Sequence, residues 1–240
     1  MITVHDLSPN VEVIAAGDPP PLPARLDAEV AALWERARAL RPDGLRDGGL
    51  FTVEAMTPLR ITGRFVPYRR LVAQRAKPAL FGALGVRPLA VSGVLTCADG
   101  VVFGRRAADV TEDAGRWELV PSGGVSPECA DAAGRVDLGR QIGIELGEEV
   151  GVAADAVGAP EILCAVEDDR SHVIDVGIAL ASPLSGAEVR ARHARRASRE
   201  YAELAVVAKA DVPAFVAARG RELIEVSRAL LERLGFTSAR

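Results

Sequence analysis

The hydrophobic positions change period several times along the chain, and each change marks an element. Between residues 24 and 40, Leu26, Val30, Leu33 and Trp34 fall at helical spacing, with Asp27 near the start and Arg36 and Arg38 near the end. That spacing predicts an amphipathic helix with charges suited to its dipole. The preceding Gly17-Asp18-Pro19-Pro20-Pro21-Leu22-Pro23 excludes helix and central strand and predicts a stiff extended link. Pro42-Asp43-Gly44 predicts a turn. Strands are predicted over 50–54 and 59–65, then a helix over 71–84, interrupted at Pro78 and closed at Gly85.

From Arg87 the texture shifts to strand-length apolar runs. Leu89 to Cys97 reads as a buried strand, Ala98-Asp99-Gly100 as a turn, and 101–105 as the second arm of a hairpin. Trp117 to Val120 is a short strand entering Ser122-Gly123-Gly124. Further strands are predicted over 159–166, 172–181 and 203–208. Helices are predicted over 138–150, 188–199, 212–219 and 222–234. This alternation of strands and helices predicts an α/β fold, and no internal repeat is visible.

The helix over 138–150 carries the chemistry. Leu138, Ile142, Leu146 and Val150 recur every four residues as an apolar stripe. Gly139, Gly143 and Gly147 also recur every four, which predicts close packing, with the helix tight on a sheet and its acidic edge at the rim. Glu145, Glu148 and Glu149 stand at i, i+3 and i+4, so a regular helix would place three carboxylates on one face. Carboxylates that close repel one another unless a cation sits between them. With a Gly123-Gly124 loop ahead able to add a backbone carbonyl, the set describes a hard-cation site of the kind that holds Mg2+ against a phosphate. It points to metal-assisted cleavage of a phosphate-containing molecule.

Gly123-Gly124 followed by Glu145-Leu146-Gly147-Glu148-Glu149-Val150-Gly151-Val152 resembles the Nudix box, from its first Glu onward. Ile144 stands where that box has Arg, and the interval from Gly124 is longer than the family's; Glu128, Asp131 and Asp137 are candidates for the acid within it. The resemblance implies a Nudix α/β/α sandwich with a mixed sheet over residues 86–240, preceded by a small α+β extension over 1–85. It implies Glu145, Glu148, Glu149 and the Gly124 carbonyl as ligands to Mg2+, or Mn2+ in its place. Glu149 and Glu148 are the implied catalytic carboxylates. Glu200 lies where many relatives place the base, with a solvated loop residue as the plainer reading. Asp175 alternates on its strand and is able to face the site, though a structural role is the plainer reading.

Substrate contacts are sought among basic residues. Arg105 and Arg106 are consecutive on a strand, so one of them faces a diphosphate at most. Arg64, Tyr68, Arg69 and Arg70 form a basic and aromatic cluster that suits either a nucleotide or a contact between parts of the chain. Leu33-Trp34-Glu35, Leu50-Phe51, Tyr68-Arg69 and Phe103-Gly104-Arg105-Arg106 resemble the UDP-glucose and UDP-galactose pyrophosphatase type of Nudix protein. That implies hydrolysis of a UDP-sugar to UMP and a sugar 1-phosphate. Another nucleotide or prenyl diphosphate is the alternative within enzymes, and a non-catalytic ligand-binding protein the alternative outside them.

Composition adjusts this picture little. Hydrophobic residues make up 49% and charged residues 26% of the 240, which is ordinary for a globular chain. A net charge of -4 opposes a nucleic-acid surface. The basic residues are nearly all Arg, the lysines being Lys77 and Lys209, so groups suited to bidentate phosphate contacts abound. Cys97, Cys129 and Cys164 are scattered, without a CxxC, and read as reduced residues. No membrane span or secretory leader is apparent, so a cytoplasmic protein is expected. The partner expected is a small-molecule diphosphate, with neither nucleic acid nor membrane; a homodimer stays open.

Overall fold

The computed structural model describes residues 1–41, 45–110, 112–195 and 200–237. The predicted turn at 42–44 and the end of the helix predicted over 188–199 therefore lie outside the described residues. The chain opens with β1 (Ile2–His5) and β2 (Glu12–Ala15), then α1 (Ala24–Leu40), β3 (Gly49–Thr57), β4 (Arg60–Pro67), α2 (Tyr68–Ala76) and, after a 3-10 turn at Pro78–Leu80, α3 (Phe81–Leu84). Next come β5 (Leu89–Cys97), β6 (Gly100–Arg106), β7 (Trp117–Leu119), β8 (Ser122–Gly124) and α4 (Leu138–Glu145), which runs into a π turn at Leu146–Val150. The rest is β9 (Glu161–Asp168), β10 (Val173–Ala181), α5 (Gly186–His193), β11 (Tyr201–Val207), α6 (Val212–Arg219) and α7 (Glu225–Arg233).

A large mixed sheet runs in the order β1-β9-β10-β5-β6-β11, and β5 and β10 are its parallel pair. Alternation along the strands sorts side chains into two layers. Val91, Leu95, Val102, Val176 and Ile178 pack with Ile142, Leu146 and Val150 and with Val189 of α5. On the other face Val94, Val101, Phe103, Cys164 and Val166 pack with Val212 and Val216 of α6 and Leu230 and Leu231 of α7. The expected α/β fold, a mixed sheet between helices, is the one observed. All three cysteines are buried free thiols, and no helix among the described residues is long and apolar enough to cross a membrane.

The first 85 residues supply α1, α2 and a small sheet in the order β2-β4-β3. They also supply β1, which pairs antiparallel with β9 at the edge of the large sheet. Val13, Phe51, Val53 and Ile61 belong to the same buried cluster as the helix side of the large sheet. Periodicity did not predict β1 or β2. Each is four residues long, and the partner of β1 lies far along the chain, so neither has a strong local signal.

One detail of the large sheet creates the cleft. The β5–β6 hairpin is laddered only near its turn, at Thr96–Val101 and Cys97–Gly100. Beyond that the strands part. β8 takes the exposed edge of β5 and β7 takes that of β6. Pro121, after a cis Val120–Pro121 bond, sits at the fork, where its carbonyl accepts from Gly93 N–H at 2.7 Å. The Ser122-Gly123-Gly124 segment is thereby fixed along β5 instead of hanging as a free loop.

Candidate active site

Asp137 caps α4, its side chain accepting from Arg140 N–H at 2.9 Å. The apolar stripe Leu138, Ile142, Leu146 and Val150 is buried as predicted. The glycine register packs differently from the expectation. A Cβ on Gly143 would touch Ala154 and one on Gly139 would approach Pro160, so these glycines face the loop after the helix and not the sheet. The apolar stripe, and not the glycines, packs the helix on the sheet.

The carboxylates also depart from the regular-helix expectation. The helix is α to Glu145 and π from Leu146 to Val150, and a π turn spreads residues over a wider arc than an α turn. Glu149 is buried, Glu145 is half-buried and Glu148 is exposed. Glu149 and Glu145 face the glycine loop, while Glu148 lies exposed at the rim and still acts electrostatically on Glu145. Among the described residues no group of three or more His, Cys, Asp or Glu side chains converges as a metal cage.

Glu149 Oε2 accepts from Ser122 N–H at 2.9 Å and from the Tyr201 hydroxyl at 3.3 Å. Burial, despite the Ser122 donor, pushes its carboxyl well above the ordinary range, with Glu145, Glu118 and Glu200 adding to the shift. Glu145 Oε1 accepts from Gln141 Nε2 at 2.7 Å. Burial, opposed by that bond and helped by Glu148, raises Glu145 to about 7. A Cβ on Gly123 would overlap the Glu145 carboxylate, so only glycine admits that carboxylate against the β8 backbone. Gln141 is a bracket that sequence reading missed. Its Oε1 accepts from Ser126 N–H at 3.0 Å and from Cys129 Sγ at 3.2 Å, tying the loop after β8 to Glu145.

Next to this centre lies a compensated network. Arg106 Nη1 donates to Glu118 Oε1 at 2.6 Å, and its Nη2 pairs with Glu200 Oε1 at 2.5 Å. Burial alone would lower the Arg106 guanidinium, and Glu118 and Glu200 together hold it above its usual value. Burial pushes the Glu118 carboxyl up and Arg106, 2.6 Å away, draws it back. Burial, then Glu118 and Glu149, keep Tyr201 a neutral hydroxyl. Neither Glu118 nor Tyr201 was singled out from sequence. A lone acid inside the apolar Trp117-Glu118-Leu119 was the available signal for the first.

A cleft of about 740 Å³ opens beside these residues. Ser122, Gly123, Gly124, Arg106, Glu118, Glu200, Asp175 and Tyr68 line it. Arg105 points away and pairs at 3.6 Å with the exposed Glu203. Arg64 binds Glu54 at 2.5 Å and the Asp18 carbonyl at 3.1 Å; Arg69 binds Asp47 at 3.1 Å; Arg70 reaches the Pro20 carbonyl at 3.1 Å. These three arginines fasten the proline link and the turn before β3, and of that cluster Tyr68 alone reaches the cleft. Across the cleft mouth Arg75 of α2 pairs with Glu112.

No family model and no curated protein matches the chain. Solved structures do. A MutT protein from Methanosarcina mazei Go1 is 20% identical with TM-score 0.45, over 61% of this chain and 91% of the other. The NUDIX domain of Shewanella oneidensis NrtR, complexed with ADP ribose, is 18% identical with TM-score 0.45, over 61% and 85%. A bifunctional NMN adenylyltransferase/ADP ribose pyrophosphatase from Francisella tularensis, complexed with AMP and Mn ion, is 14% identical with TM-score 0.44, over 70% of this chain and 48% of the other.

Proposed function

We propose that the chain is a Nudix-type pyrophosphohydrolase that splits the diphosphate of a nucleoside diphosphate derivative. The observation that carries this is the pairing of Glu145 with Gly123 and of Glu149 with Ser122. Two carboxylates are built into a fixed glycine loop at the edge of a cleft, and among the described residues no cationic side chain pairs with either. Such a donor set, with a cradle that a single Cβ would fill, fits a hard divalent cation. Glu145, Glu148, Glu149 and the Gly124 carbonyl are the groups that would hold Mg2+, or Mn2+. When bound, it neutralises diphosphate charge and lowers the pKa of water.

The protein groups have separate tasks in this reading. Glu149, anchored by Ser122 and Tyr201, fixes the loop to the helix. Arg106, set between Glu118 and Glu200, is already compensated, so it serves chiefly to fix Glu200 at the cleft edge. Glu200 is then the group that orients an attacking water. Water adds to one phosphorus, the bridging P–O bond breaks, and the proton passes to solvent. We favour a UDP-sugar giving UMP and a sugar 1-phosphate, on the sequence resemblance of the first half of the chain. The test is a panel of UDP-sugars, ADP-ribose and nucleoside triphosphates with Mg2+, products read by phosphorus NMR, with Glu149→Gln as control. Cleavage of one class, abolished in the control, supports the reading; no cleavage of any diphosphate overturns it.

A further inference from the structure

Asp175 is a carboxyl set into the cleft wall without a counter-charge. It projects from β10 toward β5, where Ser92 Oγ donates to its Oδ1 at 2.9 Å. Both residues line the cleft. No other hydrogen bond or ion pair involves the Asp175 side chain among the described residues. Burial, opposed by the Ser92 bond and helped by Glu118, Asp168 and Glu112, raises it to about 7, those three acids being paired with Arg106, Arg170 and Arg75. An unpaired, largely buried carboxyl is costly for a fold, and one that faces a cleft marks a functional position.

Its place relative to the proposed reaction centre follows from the sheet. Ser122, gripped by Glu149, lies opposite Ser92 in the β8–β5 ladder. Ser92 in turn lies opposite Gly177 on β10, two residues from Asp175. Two strand spacings, roughly 10 Å, separate the Ser122 strand from the Asp175 strand. A diphosphate at the glycine loop would therefore reach Asp175 only with the group attached beyond the phosphates.

We propose that Asp175 and Ser92 form a second subsite of the cleft, which takes a vicinal diol at the uncharged end of the substrate. Two acceptor oxygens without a counter-charge among the described residues disfavour a phosphate there. They favour a group rich in hydrogen-bond donors. Asp175 Oδ2 is open to accept one hydroxyl. Ser92 Oγ, whose proton is given to Oδ1, keeps lone pairs for the adjacent hydroxyl. The diol comes from a nucleoside ribose or from a sugar substituent. This subsite rests on the diphosphate reading only for where the phosphates lie.

The experiment is calorimetric binding of ADP-ribose and UDP-glucose in Ca2+, each against analogues lacking one ring hydroxyl of the ribose or of the glucose. Wild type is compared with Asp175→Ala, Asp175→Asn and Ser92→Ala. Asp175→Ala should weaken binding about tenfold, and Asp175→Asn less, since the amide oxygen still accepts. Deleting the recognised hydroxyl should weaken wild type by a similar factor and leave Asp175→Ala unchanged. The ring whose deletion does this is the one held. Equal binding by wild type and Asp175→Ala, a loss that persists in every deoxy analogue, or no binding of either probe overturns the subsite. Binding through Asp175 without turnover in Mg2+ would instead overturn the hydrolase reading and leave the subsite standing.

Discussion

Two acidic regions stand side by side in this molecule, and their charge balance differs. Around Arg106, the carboxylates of Glu118 and Glu200 are answered by one guanidinium at 2.6 and 2.5 Å. Around Gly123, Glu145 and Glu149 receive hydrogen bonds from Gln141, Ser122 and Tyr201 but no positive charge from the described residues. The first region is complete within the chain. In the proposed function, the second is completed by a cation from solution. A fold tolerates uncompensated buried carboxylates when something else supplies the charge in the working state, so in the proposed function the contrast separates carboxylates already neutralised, Glu200 among them, from those that would take the cation.

The comparison can be broken from either side. Arg106→Met should have the largest effect on the fold. It leaves Glu118 buried without its partner, and chemical denaturation should show about 3–5 kcal/mol lost. Glu145→Gln should act oppositely. The amide oxygen still accepts from Gln141 and no counter-ion is stranded, so the unfolding midpoint should stay at or above the parent's. Turnover of a diphosphate should fall about 100-fold or more. If Glu145→Gln destabilises the fold as Arg106→Met does, the two regions are alike and the contrast fails.

Gly123→Ala sharpens the same point with one methyl group. The three atoms nearest the new Cβ all belong to the Glu145 carboxylate, the far end of a flexible side chain, so stability should change by less than about 1 kcal/mol, read by thermal unfolding. The carboxylate must move, and turnover should drop about tenfold or more.

Asp175 gives a smaller effect that depends on pH. Its folded value, about 7, lies above the ordinary 3.8. The folded state therefore binds the proton more tightly, and stability falls as pH rises between those values. Asp175→Asn removes that loss. It should raise stability by roughly 1–3 kcal/mol at pH 8 and by almost nothing near pH 4, measured by denaturant titration at both. A pH-independent difference would contradict the assignment.

The sequence made much of this legible because the strongest signals are local. Leu89 to Cys97 is a strand, Leu138 starts the acidic helix, and Gly85 closes the segment after α2 with a left-handed φ of 56°. The less legible parts depend on distant partners. β1 requires β9 before it is a strand. Spacing also does not show that the helix turns π over Leu146–Val150, with Glu148 exposed and Glu149 buried. Tyr201 and Gln141 matter through contacts 52 and 4 residues away, and neither residue type announces a site. The arginines of the Tyr68 cluster carried a phosphate-like signature, yet Asp47, Glu54 and the proline link occupy them.

The most direct test of the uncompensated centre is Mn2+ binding, followed by electron paramagnetic resonance, to the parent protein, Glu145→Gln and Arg106→Lys. The account predicts that the parent and Arg106→Lys bind Mn2+ alike and that Glu145→Gln binds at least about tenfold more weakly. Equal Mn2+ binding by the parent and Glu145→Gln would contradict it, because the cation would then be held elsewhere.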